Sequence, residues 1–218
     1  MQQVLDFGVS IHPEQDHPLQ VKRLACQLFG ELQTLHRMGN TERIWLQAAA
    51  LLHDIGKAKK RRNHNKHSCK YIIKTGDLPF NKTERVLIGL IARYHRGPLP
   101  KIYHRYYSNL NHEQRLYVQK LAGLLRFADG LDDTHDGAVV DLSCTIRRNL
   151  IKVSIYSHYP FSENKSYHKT DLLQRVFHRD FQLYKTDIPY IPGRSVYMYA
   201  NLDKTMNPFN LQLCNITS

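Results

Sequence analysis

The chain is organised around one run of residues, Ala48-Ala49-Ala50-Leu51-Leu52-His53-Asp54-Ile55-Gly56-Lys57. Its apolar part predicts a helix that is buried on nearly every side, and Gly56 is a residue type that commonly ends such a helix. His53 and Asp54 are neighbours, so their side chains diverge by roughly 100° on a regular helix. Both can bind one ion only if the ion lies between them. The pair predicts a metal site on the flank of the helix, against the simpler interpretation of a helix-end histidine and a solvated aspartate.

Other candidate ligands also lie at predicted helix ends. His17 precedes Pro18, a residue type that suits a first helical turn, and the apolar positions that follow recur at spacings of three and four. His95 comes at the end of another amphipathic pattern. Asp129 ends a third, at a point where the helix dipole disfavours a carboxylate unless a cation lies nearby. The sequence therefore predicts that several helix ends meet at one site.

Six motifs in this order carry a resemblance to a known family: His17-Pro18-Leu19-Gln20-Val21, Ala50-Leu51-Leu52-His53-Asp54-Ile55-Gly56-Lys57, His67-Ser68, Asp77-Leu78-Pro79, Ala92-Arg93-Tyr94-His95-Arg96 and Leu124-Leu125-Arg126-Phe127-Ala128-Asp129-Gly130-Leu131-Asp132. Together they resemble an HD-superfamily phosphohydrolase domain, and more closely the C-terminal region of the exopolyphosphatase and guanosine pentaphosphate phosphatase family. The resemblance extends from about Glu14 to Lys185.

The resemblance implies a metal centre. It implies that four residues bind one ion: His17, His53, Asp54 and Asp129. His67 and His95 match positions that hold a second ion in two-metal relatives, with Asp54 bridging both ions; the alternative is that these two histidines contact phosphate beside a single ion. Mixed imidazole and carboxylate ligands suit Mn²⁺, Fe²⁺, Co²⁺, Ni²⁺ or Zn²⁺ better than Ca²⁺ or Mg²⁺. We therefore expect one or two divalent transition-metal ions as the cofactor.

The expected chemistry is hydrolysis of a phosphoester or phosphoanhydride, because such ions make hydroxide available near neutral pH. Asp54 and Lys57 are the predicted catalytic residues. Lys57 matches the lysine of the family's His-Asp-x-Gly-Lys form, and its charge can neutralise negative charge that grows on phosphoryl oxygens. The predicted substrate-binding residues are Lys57, His64, Arg93, Arg96 and Arg126. The three arginines are equally compatible with ordinary salt bridges.

Charge favours an anionic partner. The 218 residues include 31 lysines and arginines against 19 acidic residues, a net charge of +12, and such an excess attracts nucleotides, polyphosphate or nucleic acid. Eight of the basic residues follow the His-Asp pair with no acidic residue among them: Lys57, Lys59, Lys60, Arg61, Arg62, Lys66, Lys70 and Lys74. The alternative is that a basic surface only keeps the protein in solution.

The pattern predicts a mainly α protein. Residues 1–137 are expected to form an HD-type helical domain, with residues 1–16 as an arm that leads to the first helix. Residues 138–187 change to alternating apolar positions and predict a small α+β appendage of β-β-α-β order. Residues 188–218 form a tail without an assigned role. We see no bilayer-spanning run and no secretory signal, and the four cysteines are scattered, so we expect a cytoplasmic protein with reduced thiols and no membrane partner.

Two functions from different classes remain. The first is a metal-dependent phosphohydrolase that acts on a multiply charged substrate such as a nucleotide or polyphosphate. The alternative is a non-catalytic module that binds polyphosphate, nucleotide or RNA through a basic face, because in relatives the phosphatase chemistry belongs to two actin-like domains ahead of this region. The presence of all six candidate ligands favours the enzyme, since simple anion binding needs lysines but not a His-Asp pair. A nuclease on single-stranded nucleic acid is a third interpretation, and the oligomeric state stays open.

Overall fold

In the computed structural model, which describes residues 1–187, the alanine-rich run forms the central helix α4 (Asn40–Leu52). Every residue from Ala48 to Gly56 is buried. Four helices pack against α4: α1 (Gln2–Ile11), α2 (Asp16–Glu31), α6 (Lys82–Arg93) and α7 (His112–Leu131). The prediction of a helix surrounded on nearly every side is confirmed, because α4 is the inner element against which the outer helices bury their apolar faces.

Three shorter helical segments complete the helical part: α3 (Gln33–His36), a 3-10 helix (Ile55–Ala58) and α5 (His64–Lys74). The capping boxes at the starts of α6 and α7 are present, with Asn81 and Asn111 accepting backbone N–H bonds. These caps satisfy N–H groups that the first turn of a helix leaves free. They fix where α6 and α7 begin, and therefore where each helix delivers its C-terminal end.

Gly56 has a different role from the one expected of it. The chain continues past α4 directly into the 3-10 helix, and Gly56 lies where α5 crosses it. A Cβ atom on Gly56 would lie 2.1 Å from the carbonyl oxygen of His64 and 2.6 Å from the backbone nitrogen of Ser68. The backbone N–H of Gly56 also donates to Ser68 Oγ at 2.9 Å. Gly56 is therefore needed for the close approach of α5, not for a left-handed turn at the end of α4.

The appendage consists of β1 (Val139–Ile146), β2 (Leu150–Ser157), α8 (Glu163–His168), α9 (Asp171–Phe177) and β3 (Asp180–Asp187). The sheet order is β1-β2-β3, with β1 antiparallel and β3 parallel to β2. The parallel pairing of β2 and β3 requires a crossover, which α8 and α9 supply. The predicted β-β-α-β order is confirmed, with two short helices where one was expected.

The appendage packs on α7. A Cβ atom on Gly123 would lie 2.6 Å from Leu173 Cδ2, so α9 approaches the α7 backbone closely. The rings of Phe127 and Phe181 meet edge to face with centroids 6.0 Å apart. Apolar side chains of the helical part and of the sheet belong to one core, and the division at residues 137 and 138 stays a prediction.

The first sixteen residues differ from expectation, because they contain α1 rather than an irregular arm. Only Val4 and Gly8 of this helix are buried, so its periodicity in the sequence is weak. A Cβ atom on Gly8 would come within 3.3 Å of Leu52 Cδ2. Packing against α4 therefore stabilises α1, although the local sequence pattern does not predict this helix. No helix within residues 1–187 has both the length and the apolar character needed to cross a membrane.

Candidate metal centre

Six side chains from the ends of five helical elements converge in the interior: His17, His53, Asp54, His64, His95 and Asp129. Histidine contributes the Nε2 atom in every case, and the two aspartates contribute carboxylate oxygens. His17 lies in the first turn of α2, the His-Asp pair follows α4, and His64 opens α5. His95 follows α6 and Asp129 lies in the last turn of α7. The ends of these helical elements therefore meet at one place in the interior.

Four of these residues form a first subset with the spacing of metal ligands. His17 Nε2 lies 3.3 Å from His53 Nε2 and 3.7 Å from Asp54 Oδ2. Asp129 Oδ1 lies 3.5 Å from both imidazole nitrogens, and Asp54 Oδ2 lies 3.5 Å from His53 Nε2. Donor atoms that share one ion at about 2.1 Å and at tetrahedral angles are about 3.4 Å apart. The first subset therefore fits a single ion.

A second subset faces the other oxygen of Asp54. His64 Nε2 lies 2.9 Å from Asp54 Oδ1, and His95 Nε2 lies 3.8 Å from the same oxygen. The two imidazole nitrogens lie 3.4 Å apart. Asp54 thus presents Oδ2 to one pair of histidines and Oδ1 to the other, which is the arrangement of a carboxylate that bridges two ions.

Each of the four histidines is held at its second ring nitrogen. The Nδ1 atoms of His53, His64 and His95 lie 2.7, 2.8 and 2.6 Å from the carbonyl oxygens of the residues three positions earlier. His17 Nδ1 lies 2.7 Å from Asp132 Oδ2. An acceptor at Nδ1 fixes the proton there and leaves Nε2 as the ligand atom, as in metal-bound histidines generally. The site is therefore built to present Nε2 lone pairs inward.

Asp54 Oδ1 is a buried carboxylate oxygen that receives no hydrogen bond. His64 Nε2 lies 2.9 Å from this oxygen, but His64 Nδ1 faces the carbonyl of Arg61, and one ring proton cannot serve both acceptors. His95 is in the same position, because its Nδ1 faces Ala92. A buried, unpaired carboxylate oxygen is costly. A cation between Asp54, His64 and His95 removes this cost, so the donors present fit a divalent ion.

The protonation states agree with this arrangement. Burial lowers the pKa of His95 to about 3, so this imidazole is neutral and free to act as a ligand. Burial would raise the pKa of Asp54, but the surrounding imidazoles hold it far below its ordinary value. For His17, burial lowers the pKa, but hydrogen bonds with Asp129 and Asp132 outweigh it and raise the pKa to about 9. In the metal-free chain, a proton on His17 thus offsets part of the carboxylate charge.

Two lysines lie at the edge of the centre, one beside each of its two carboxylates. Lys57 Nζ lies 2.5 Å from Asp54 Oδ2, and Lys169 Nζ lies 2.7 Å from Asp129 Oδ2. Their side chains are 21% and 22% exposed, whereas those of His17, His53 and His95 are at most 1% exposed. An anion that approaches the centre from solvent therefore meets ammonium groups before it meets the histidines.

The structure brings together five of the six residues expected as ligands and adds His64 in place of His67. His67 is half-buried and lies one helical turn further along α5. Burial and the charges of Lys59 and Lys70 lower its pKa. The distinction depends on how α5 packs. His64 and His67 lie on one face of α5, but it is His64, in the first turn, that reaches Asp54 after α4 and His95 after α6.

The three arginines expected to bind substrate have different surroundings. Arg126 is buried and donates to both carboxylate oxygens of Asp171, at 2.6 and 2.9 Å, and to the carbonyl of Gly97 at 3.1 Å. Arg93 lines a separate pocket of about 80 Å³ together with Tyr94 and His104. Arg96 is exposed. Arg126 therefore holds the appendage against α7, which is the salt-bridge alternative of the sequence analysis.

Three residues of the site have no role in the sequence analysis. Asp132 accepts from His17, His135 stacks on the His17 ring with centroids 3.7 Å apart, and Lys169 pairs with Asp129. Asp132 follows Asp129 by three residues, a spacing that places both on one face of α7, so a helical-wheel argument could have found it. Lys169 comes from the appendage, and no local pattern marks it.

Comparison with known protein families matches residues 3–176 to the family described as Ppx/GppA phosphatase, domain III. The match covers most of the chain, including all six clustered side chains and most of the appendage. No curated protein matches the sequence significantly.

Proposed function

This chain belongs to the family of Ppx/GppA phosphatase domain III, and we propose that it is itself a metal-dependent phosphohydrolase of HD type. Its substrate is a multiply charged phosphate compound, such as a nucleotide or polyphosphate, in which it cleaves a phosphoester or phosphoanhydride bond. The observation that carries the proposal is the inward convergence of four Nε2 atoms on the two oxygens of Asp54. A module that only binds anions has no need of such a set.

Two divalent transition-metal ions are proposed. His17, His53, Asp129 and Asp54 Oδ2 would hold the first ion, and His64, His95 and Asp54 Oδ1 would hold the second. Donor types of this kind suit Mn²⁺, Fe²⁺, Co²⁺, Ni²⁺ or Zn²⁺. Ions at these places would supply Lewis acidity and an activated water for attack on phosphorus.

The residues of the chain have separate tasks. Asp54 joins the two subsets, so its position sets the distance between them. Lys57 follows Asp54 by three residues on the 3-10 helix and is partly exposed, so its ammonium can leave Asp54 and neutralise charge that develops on a phosphoryl oxygen. The basic loop, defined here as Lys59, Lys60, Arg61 and Arg62, is exposed and directly follows. Its charge draws anions toward the centre.

A non-catalytic binding module is the second candidate. The basic loop favours it, because four exposed cations without an acidic neighbour bind polyanions whether or not chemistry follows. The two functions differ in their requirement for metal. Binding through the basic loop weakens with salt and is indifferent to chelators, whereas hydrolysis needs the buried cluster. We also propose a cytoplasmic location, supported by the three described cysteines, Cys26, Cys69 and Cys144, which are unpaired.

The test is hydrolysis by chain stripped with a chelator and reloaded with each candidate ion. Nucleoside triphosphates, pyrophosphate and polyphosphate serve as substrates, and released phosphate is measured. Asp54→Asn removes the bridging charge, and Asp133→Asn is the matched control, because Asp133 pairs with Lys165 at the surface. We expect metal-dependent turnover in the wild type and in Asp133→Asn, and none in Asp54→Asn. Turnover that survives in stripped chain or in Asp54→Asn would refute the proposal.

A further inference from the structure

The appendage contributes a cation to the metal centre. Lys169 lies between α8 and α9, and its Nζ reaches back to Asp129 Oδ2 at 2.7 Å. We propose that Lys169 contacts the substrate, binding a phosphate oxygen on the side of the centre where Asp129 lies. This inference rests on the proposed function of the cluster as a phosphate-handling metal centre. It assigns to the α+β appendage a direct part in that function.

The aliphatic part of the Lys169 side chain packs against α7 at Gly130, where α7 has no side chain. A Cβ atom on Gly130 would lie 2.7 Å from Lys169 Cγ and 2.9 Å from Lys169 Cβ. Only a residue without a side chain lets the lysine stem pass this closely. Ser166 Oγ, one turn before Lys169, donates to the carbonyl of Gly130 at 2.8 Å and holds α8 at the same point. The position of the ammonium is thus set by backbone packing and not by a freely rotating surface side chain.

An ion pair with α7 fixes the segment that follows Lys169. Asp171 receives the two hydrogen bonds from Arg126 of α7, and such bidentate pairs are geometrically specific. Lys169 is therefore held between two contacts with α7, one at Gly130 and one at Arg126. These two contacts therefore hold Lys169 Nζ in a fixed position beside Asp129.

The ammonium retains capacity for a ligand. A lysine has three N–H donors. Among residues 1–187, Nζ of Lys169 contacts Asp129 Oδ2 and, at the long distance of 3.5 Å, the carbonyl of His95. At least one donor has no partner there, and the side chain is 22% exposed. An approaching phosphate can accept this donor without breaking the bond to Asp129.

Charge balance favours contact with substrate over support of the metal. A cation beside a metal site repels the metal ion, so a residue whose task is to hold the ion should not be a lysine. The same charge attracts a phosphate that carries several negative charges. Removal of Lys169 should therefore leave metal binding intact and weaken anion binding.

Lys165 offers a matched control. It lies one turn earlier on the same segment, and its Nζ pairs with Asp133 Oδ2 at 2.7 Å, but the side chain is 65% exposed. Lys165→Met and Lys169→Met therefore remove the same charge and the same type of ion pair from the same element. Only the second variant removes a cation from the centre.

The experiment measures metal content and pyrophosphate affinity of metal-loaded chain by elemental analysis and calorimetry. One hydrogen bond to a charged group corresponds to about a 10- to 100-fold change in affinity. We expect this loss of pyrophosphate affinity in Lys169→Met, no loss in Lys165→Met, and metal content equal to wild type in both. Lys169→Arg should retain part of the affinity, and Gly130→Ala, which displaces the lysine stem, should lower it.

Three results would overturn the inference: unchanged pyrophosphate affinity in Lys169→Met, an equal loss in Lys165→Met, or loss of metal from Lys169→Met. The last result would show a structural role. Failure of the proposed function looks different. A wild-type chain that binds metal and pyrophosphate but hydrolyses no phosphate compound would refute the enzyme and leave the role of Lys169 in binding intact.

Discussion

Replacement of Gly56 by alanine tests how the fold assembles the centre. The new Cβ atom would lie 2.1 Å from the His64 carbonyl oxygen and 2.6 Å from the Ser68 nitrogen. Both are backbone atoms of α5, so neither can rotate away, and the helix would have to shift by about 1 Å to reach ordinary contact. Overpacking a core usually costs about 1–3 kcal/mol. Because α5 moves as a unit, we expect a loss at the upper end, about 3 kcal/mol in the free energy of unfolding.

The assay is urea denaturation of the metal-free chain, followed by thermal melting. For a chain of this size, a loss of about 3 kcal/mol corresponds to a fall in Tm of about 6–12 °C. Gly30→Ala is the control, because no atom lies within 4 Å of a Cβ atom there and the residue is inside α2. Alanine is the better helix former, so this variant should gain up to about 1 kcal/mol. Equal stability of Gly56→Ala and wild type would refute the close packing of α5 against the 3-10 helix.

Four further predictions concern the centre. His64→Ala should lower the metal content by one ion per chain, whereas His67→Ala should leave it unchanged; elemental analysis that gives the reverse would restore His67 as the ligand. Asp132→Asn should lower the affinity for the first metal ion by about 10- to 100-fold in a chelator competition, because an amide can disturb the His17 tautomer. Equal metal affinities of Asp132→Asn and wild type would show that Asp132 does not support His17 as a ligand. Lys57→Met should lower kcat more than it raises KM, as expected for a contact made chiefly in the transition state; a change in KM alone contradicts it. Replacing the whole basic loop by glutamine should raise KM and flatten its salt dependence while kcat barely changes, and unchanged KM at low salt would show that the loop is only a solvated surface.

Local pattern was enough to predict the helices that carry the first subset, whereas the choice of its four residues came from the family resemblance. The apolar run before His53 and the proline after His17 each mark a helix boundary. The position of that boundary also fixes the position of the histidine beside it. Asp129 likewise ends a long, strongly periodic helix. The fold class and the order of the appendage followed from the change of period after residue 137.

Features that depend on three-dimensional contact could not be predicted in this way. His64 and His67 are separated by one helical turn on the same face of α5, and only the packing of α5 against the other helices decides which of them reaches the cluster. Gly56 could be understood as a helix end from the sequence, but its function is to admit a neighbouring helix. Lys169 is distant in sequence from Asp129, and its approach depends on the absence of a side chain at Gly130. In each case the contact that decides the structure joins two residues that no repeating pattern in the sequence connects.

The most direct test of the central claim is the anomalous diffraction of crystals loaded with Mn²⁺ or Zn²⁺. The structure predicts two peaks about 3.5–4 Å apart on either side of Asp54, one beside His17 and His53 and the other beside His64 and His95. If the protein binds metal in solution but its crystals show no anomalous peak within this cluster, the account is contradicted.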